Sequence, residues 1–182
     1  MTTTTEEIIP VDERIELRAT DERYTTELHN LVVKNRAWLQ DSLNWPQFVS
    51  TEDDTRQNIM SNQMLHQRGY AKMFLIFSDN ALVGVLSFNA IEPLNKTGYI
   101  GYWLDEGHQG QGILSRALEA FIRHYAGRGE IRRFVIKCRV DNAASNQVAR
   151  RNGFLLEGCL KEAEFLNGRY DDQNIYARIC TS

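Results

Sequence analysis

The sequence is short of long apolar runs, clustered cysteines and proline, and each shortage removes a class of protein. Its longest mostly apolar stretch, residues 81–88, is interrupted by Gly84 and Ser87, whereas a membrane-spanning helix takes about 20 apolar residues. No segment is expected to cross a bilayer. Cys138, Cys159 and Cys180 are odd in number, far apart and without a C-x-x-C pair, which predicts free thiols rather than a disulfide scaffold. His29, His66, His108 and His124 stand singly among unlike neighbours, and a structural metal wants about four clustered ligands, so no metal is expected. With 3 prolines in 182 residues, no repeat and no Gly/Ser-rich or Pro-rich linker, the chain reads as one domain over residues 1–182, with residues 1–12 as a flexible start. Four threonines and two glutamates precede the first isoleucine. This is not the basic-then-apolar order of a secretory leader, and a cytoplasmic protein is predicted.

What is present is an ordinary globular composition, 42% hydrophobic and 25% charged, enough to bury a core without staples. The net charge of −3 is unevenly spread. Residues 107–153 hold nine basic side chains (Arg116, Arg123, Arg128, Arg132, Arg133, Lys137, Arg139, Arg150, Arg151) against three acidic ones (Glu119, Glu130, Asp141), a net +6 that leaves −9 elsewhere. Nucleic-acid-binding domains are usually basic as a whole, so none is expected as a partner. An acidic chain with one cationic segment suits a compact polyanion such as a nucleotide cofactor, or a plain solvated basic face. The acidic remainder, Glu52, Asp53 and Asp54 included, would draw a cationic acceptor.

Periodicity lays out the elements. Residues 14–18 alternate charged and apolar, as a strand does, and Thr20 or Asp21 then caps a helix carrying Tyr24, Leu28, Leu31 and Val32. A second helix is predicted from Ser50 towards Gly69, with Ile59, Met60, Met64 and Leu65 inward. Residues 72–77 and 81–90 flank Ser78, Asp79 and Asn80 as a hairpin, and residues 99–104 form a third strand. Leu114, Ala117, Leu118, Phe121, Ile122 and Tyr125 then recur at helical spacing up to Gly127. A strand over 134–140, a short helix over 142–152 and two strands joined by Asn167 and Gly168 complete the chain. The pattern is α+β: a mixed sheet with helices packed on it.

The sharpest feature is the run Gly107, His108, Gln109, Gly110, Gln111, Gly112, Ile113 and Leu114, between a strand and the start of the amphipathic helix. Glycines let the main chain approach an anion, and the first N–H groups of the helix point at it with the positive end of the dipole. The dinucleotide fingerprint does not fit. Ser115 stands where its third glycine would be, and only 70 residues follow Gly112, too few for two mononucleotide halves. The P-loop and the G-x-S-x-G elbow are absent.

This loop resembles the Q/R-x-x-G-x-G/A signature of the GNAT superfamily of acyl-coenzyme A transferases. Gly110 and Gly112 match its small positions, and Gly107 departs from its first. Three further stretches strengthen the likeness: Asn142 with Ser145 three residues on; Asn152, Gly153 and Phe154 followed by Glu157 and Gly158; and Asn167, Gly168, Tyr170 and Asp172. Together, over residues 14–179, they resemble the RimJ/RimL branch, which acetylates N-terminal residues of ribosomal proteins. The resemblance implies a mixed, mostly antiparallel central sheet flanked by helices, with splayed strands forming an acetyl-coenzyme A site. It implies transfer to a protein N-terminal α-amine, the acceptor being the N-terminal serine of the large-subunit ribosomal stalk protein. It is compatible with a homodimer.

The same likeness implies residue roles. The splayed strands would be 99–104 and 134–140, with pantetheine between them on the main chain of Trp103 and Leu104. Amides of Gln109, Gly110, Gln111, Gly112, Ile113 and Leu114 would cradle the pyrophosphate, Asn142 would bond the pantetheine arm, and Arg150 or Arg151 would meet an adenosine phosphate. An amine attacking a thioester also needs a route for its proton and a donor for the leaving thiolate. Ser145 is the candidate donor, because Asn-x-x-Ser spacing sets both side chains on one helix face; Asn142 as a mere cap is the plainer alternative. Glu164 is the candidate base, with Glu162 second on the same side of a two-residue repeat. Cys138 as an acetyl-carrying nucleophile is the covalent alternative, although its parity favours the core. His108 is a candidate proton shuttle, and Tyr99, Tyr102 and Trp103 are candidates for lining the acceptor site. A small amine (polyamine or antibiotic), a protein lysine, or a coenzyme A-binding sensor without turnover remain the competing functions.

Overall fold

The computed structural model describes residues 7–181. Eight strands form one sheet in the order β1-β2-β3-β4-β5-β6-β8-β7: β1 Ile8–Pro10, β2 Ile15–Ala19, β3 Lys72–Ser78, β4 Ala81–Glu92, β5 Thr97–Leu104, β6 Arg133–Arg139, β7 Leu155–Leu166 and β8 Arg169–Ile179. Among the described residues only β5 and β6 pair in parallel, as their long connection through a helix requires. The helices are α1 Thr25–Lys34, α2 Arg36–Gln40, α3 Glu52–Arg68, α4 Ile113–Gly127 and α5 Ala143–Arg151. This is the α+β arrangement expected from the pattern.

The apolar run of β3 explains the layering. Strands covered on both faces lose the polar half of their alternation. Phe74 and Ile76 point into a core shared with Phe88, Phe121, Tyr125 and Phe134, whereas Met73, Leu75 and Phe77 point into a second core with Leu28, Val32 and Ile59. Thus α4 and α5 cover one face, and α1 and α3 the other. The β3–β4 turn at Asp79 and Asn80, and the β7–β8 turn at Asn167 and Gly168, each place two successive residues at positive φ, the geometry that two-residue hairpins demand.

Two expectations need correction. The flexible start fails over residues 8–10, which form β1 against β2 with Ile9 buried; the first six residues lie outside the described ones. In α3 only Thr55 and Ile59 are buried, while Met60, Met64 and Leu65 are exposed. The buried stripe follows four-residue steps from Thr55, and the three apolar residues fall beside it. Glu52, Asp53 and Asp54 stand in the first turn of α3, at the positive end of its dipole, where Asp54 completes a capping box with Thr51 and Asp53 pairs with Arg56.

Candidate active site

β5 and β6 stay together only from the Thr97–Arg133 pair to the Ile100–Ile136 pair. Beyond that, β5 follows β4 as far as Leu104 opposite Gly84, and β6 follows β8 as far as Arg139 opposite Gln173. The strands part because each is held by its outer neighbour, and a cleft of about 340 Å³ opens between them. Trp103, Leu104, Gln109, Leu114, Asn142, Ser145 and Glu164 all line it. Sequence positions more than sixty residues apart are thereby brought to one place.

The glycine loop closes one end of the cleft. A short 3₁₀ turn, Glu106–His108, leads to Gly110 at φ 76° and Gly112 at φ 73°. Nothing lies within 4 Å of a Cβ placed on Gly110, so the left-handed backbone, not crowding, calls for glycine there. Gly112 caps α4 without a side-chain bond. The N–H groups of Gly110, Gln111 and Gly112 meet no acceptor among the described residues. Free amides at the positive end of a 15-residue helix make an anion cradle. Ile113 contributes only main chain, because its side chain is buried in the core.

Two anchors hold this loop that the sequence did not reveal. Arg116 reaches back from α4 to the carbonyls of Gln111 and Gly112, and pairs with Asp12. Asp105 is buried, and accepts from Asn35 Nδ2 at 2.8 Å, from His108 Nδ1 at 2.6 Å and from Lys34 Nζ at 3.2 Å. Burial alone would raise its pKa; the bonds from Asn35, His108 and Lys34 outweigh it and hold the carboxyl below its ordinary value. The Gln109 side chain donates to the Leu104 carbonyl at 3.0 Å, so its amide fastens loop to strand.

The wall formed by α5 carries the polar groups. Asn142 caps the helix by accepting from the Ser145 N–H at 3.2 Å while also lining the cleft, so the cap reading and the lining position coexist. Ser145 Oγ lies 3.1 Å from the Tyr102 hydroxyl. Burial pushes the Tyr102 phenol up to about 12, so it stays protonated and available as a donor. Asn146, unremarked in the sequence, is the buried hub beneath them: its Nδ2 donates to the Arg139 and Asn142 carbonyls, and its Oδ1 accepts from Asn174 and Tyr176. A polar residue on the inward face of a short helix was the available signal.

Across the cleft, Glu164 is half-buried and its Oε2 accepts from Gln173 Nε2 at 2.9 Å. Glu162 does not share its side. The β7–β8 register slips between Leu160 and Glu164, Glu162 takes φ 48°, and its N–H donates to Asp172. This bulge breaks the two-residue repeat and leaves Glu162 exposed. Cys138 is buried beside the cleft, and burial pushes its thiol up to about 11 against the pull of Arg150. Tyr99 bonds Glu92 and lines no part of the cleft, unlike Tyr102 and Trp103. His108 is held by Asp105 and also lies off the cleft.

Five of the nine cations of residues 107–153 are taken up in ion pairs: Arg116 with Asp12, Arg123 with Glu119, Arg128 with Glu130, Arg133 with Glu157, and Arg139 with Asp141 and Asp171. Arg150 and Arg151 make none among the described residues. Arg150 is exposed on α5, outside the cleft lining, with its guanidinium 6.0 Å from the Tyr176 ring. A second chamber, of about 250 Å³, lies beneath α1 and α3 and shares Leu43, Asn89, Gly101, Tyr102 and Trp103 with the cleft.

An anion cradle opening into a gap between splayed strands, with a carboxylate and a hydroxyl in its lining, has the form that a group-transferring enzyme needs. Residues 14–155 match the Acetyltransferase (GNAT) domain family, and the chain belongs to that family, whose enzymes take acetyl from acetyl-coenzyme A. It is 66% identical over 176 residues to the ribosomal-protein-serine acetyltransferase of Escherichia coli strain K12, covering 97% of this chain and 98% of that protein. The solved structure of RimL, the ribosomal L7/L12 alpha-N-protein acetyltransferase, in complex with coenzyme A through a disulfide to a cysteine, superposes with a TM-score of 0.94 at 66% identity, over 95% of this chain and 98% of that one. The microcin C7 self-immunity acetyltransferase MccE, in complex with acetyl-coenzyme A and AMP, superposes with a TM-score of 0.91 at 42% identity, over 93% and 94% of the two chains.

Proposed function

We propose that this protein moves acetyl directly from acetyl-coenzyme A to the N-terminal α-amine of a protein, and that the acceptor is the N-terminal serine of the ribosomal stalk protein L7/L12. The observation that carries the chemistry is the convergence of Ser145 and Glu164 on the cleft that leads from the glycine loop. The acceptor rests on near full-length likeness to the ribosomal-protein-serine acetyltransferase. MccE shares the fold at lower identity and carries a different name, so the fold by itself does not choose the acceptor.

The residues fit the cosubstrate. Free amides of Gly110, Gln111 and Gly112 suit a pyrophosphate, the parted strands offer main-chain partners to an amide-bearing arm through Trp103, Leu104 and Asn142, and the unpaired Arg150 suits an outer phosphate. Bound there, acetyl-coenzyme A supplies a thioester carbonyl for the amine to attack. Glu164 takes the amine's proton at its free Oε1, directly or through a water. The Tyr102 and Ser145 hydroxyls lie 3.1 Å apart; with Tyr102 as the donor, the O–H of Ser145 is left for the departing sulfur. An α-amine has a pKa of about 7.7–8.0 against about 10.4 for lysine, so a single carboxylate suffices. The chamber next to the cleft has no carboxylate in its lining, which favours a peptide terminus over a polyamine.

Direct transfer is supported by Cys138: a thiol raised to about 11 is scarcely ionised at neutral pH. We further propose one domain acting in the cytoplasm, with neither nucleic acid nor membrane as a direct partner. No helix among the described residues is long and apolar enough to cross a membrane. Edge strand β7 exposes Leu155, Leu156 and Phe165, the surface we assign to a homodimer, testable by sedimentation equilibrium.

The deciding experiment measures thiol release from acetyl-coenzyme A, with mass spectrometry of the acceptor. Serine-starting peptides are compared with the same peptides blocked at the N-terminus and carrying an internal lysine. Acetylation confined to the free serine terminus is expected. Modification of the lysine, or of polyamines alone, would overturn the acceptor, and cofactor-induced stabilisation with no turnover of any amine would mark a sensor.

A further inference from the structure

We infer that the chamber beneath α1 and α3 receives the side chain of the acceptor's second residue, and that it selects an uncharged apolar one. The inference rests on the proposed α-amine acceptor and goes beyond it by assigning a specificity site. The chamber meets the cleft along Asn89, Gly101, Tyr102 and Trp103, so an amine placed beside Tyr102 and Ser145 stands at its entrance. The residue after that amine must then lie within one peptide unit, about 3.8 Å between Cα atoms.

The lining fixes what can enter. Leu28, Val32, Met73 and Val85 make a buried floor, and no charged side chain lines any part of the chamber. A charge placed there would lose its hydration without a partner. A volume of about 250 Å³ has room for a branched aliphatic or aromatic side chain and leaves glycine or serine underfilled. Polar groups stand where a peptide backbone would pass. Asn62 on α3 donates to the carbonyl and side-chain oxygen of Asn58, leaving Asn58 Nδ2 and Asn62 Oδ1 for a ligand. Asn89 accepts from Ser87 and lies so close over Gly101 that a Cβ there would come within 2.3 Å of its Nδ2. That close approach sets Asn89 at the neck between the two cavities.

The test uses the full chain and peptides beginning Ser-X, with X as Leu, Phe, Gly, Asp or Lys and the remainder constant. Both kcat/KM for acetylation and Kd by calorimetry are measured. Leu and Phe are expected to exceed Gly by about tenfold, and Asp and Lys by 100-fold or more, on the scale of one buried aliphatic side chain and one unpaired buried charge. Asn58→Asp, at the solvent-reached part of the chamber lining, should bring Lys at X above Asp by at least tenfold. Preference for Leu in Kd without turnover would keep this pocket and overturn the acetylation reading. If all X fall within threefold in both measurements, or no peptide binds, the pocket assignment is overturned, whatever is acetylated.

Discussion

At the level of single residues, the cleft separates roles by environment. Glu164 keeps one oxygen on Gln173 and the other free, and this makes a pH-dependent prediction. Glu164→Gln should lower kcat about 10²-fold near pH 6.5. The loss should shrink as pH rises past about 8, where the α-amine arrives already deprotonated; parallel profiles for the two enzymes would remove Glu164 from proton transfer. Cys138→Ala makes the opposite demand. With its thiol up at about 11, the variant should retain kcat within about threefold, whereas an acetyl-cysteine route predicts complete loss. That Ser145 and Glu164 would lie near one another was legible, Ser145 from its spacing to Asn142 and Glu164 from its strand, and both line the cleft. The bond between Tyr102 and Ser145 and the hub at Asn146 were not, since they are contacts across 43 and 30 residues of chain, which no local pattern encodes. The pairing of Glu162 with Glu164 failed for a different reason: a bulge adds residues to one strand, and parity arguments hold only in an unbroken ladder.

Among the elements, the sequence was most readable where a side-chain period meets a covered face. α4 buries Ala117, Leu118, Phe121, Ile122 and Tyr125 as its spacing predicts. α3 was misread because only one narrow line of it packs, so three apolar residues beside that line stay exposed. The glycine loop was visible from its glycines, but the network that fixes it to the α1–α2 junction was not. Asp105→Asn tests that network. Asn35, His108 and Lys34 would face a weaker acceptor, at a cost of about 1.5–3 kcal/mol near neutral pH. The native carboxyl titrates below its ordinary value, so its contribution is complete above about pH 4 and is lost as pH falls through the native pKa. The gap between variant and parent in urea midpoint should therefore close in acid. The loop also borders the cosubstrate cradle, so KM for acetyl-coenzyme A should rise several-fold while kcat moves less. A uniform fall in stability with KM unchanged would reduce Asp105 to scaffolding.

Over the whole molecule, charge was a coarse guide, which pointed to a class of ligand and not to the residues that meet it. The net +6 of residues 107–153 read as a match for a nucleotide cofactor or as a solvated face, and the family's cosubstrate is such a nucleotide, yet folding brings Asp12, Glu157 and Asp171 from outside the segment onto three of its nine cations. Ion pairing of this kind depends on tertiary neighbours, and composition does not show them. The start of the chain was misjudged for a related reason. β1 is held by a buried isoleucine and by Glu7, which meets His66 Nε2 at 2.8 Å and the Tyr125 hydroxyl at 3.4 Å, with His124 Nε2 at 3.7 Å. This cluster joins the first strand to α3 and α4, and it titrates. Burial, with Arg128 nearby, lowers the His124 pKa, and the His66 bond lowers that of Glu7. In both cases the unfolded chain binds protons more readily than the folded one, so stability is complete above the unfolded pKa and falls with pH. Loss should begin below about pH 6.5 through His124 and deepen below about pH 4.5 through Glu7. His124→Gln keeps a neutral polar side chain and removes the first of these steps. Its denaturant midpoint should therefore change less between pH 7.5 and 5.5 than that of the parent, with both losing stability alike below about pH 4.5. Equal slopes across the upper window would show that the cluster tolerates a charged His124, and that acid acts elsewhere in the fold.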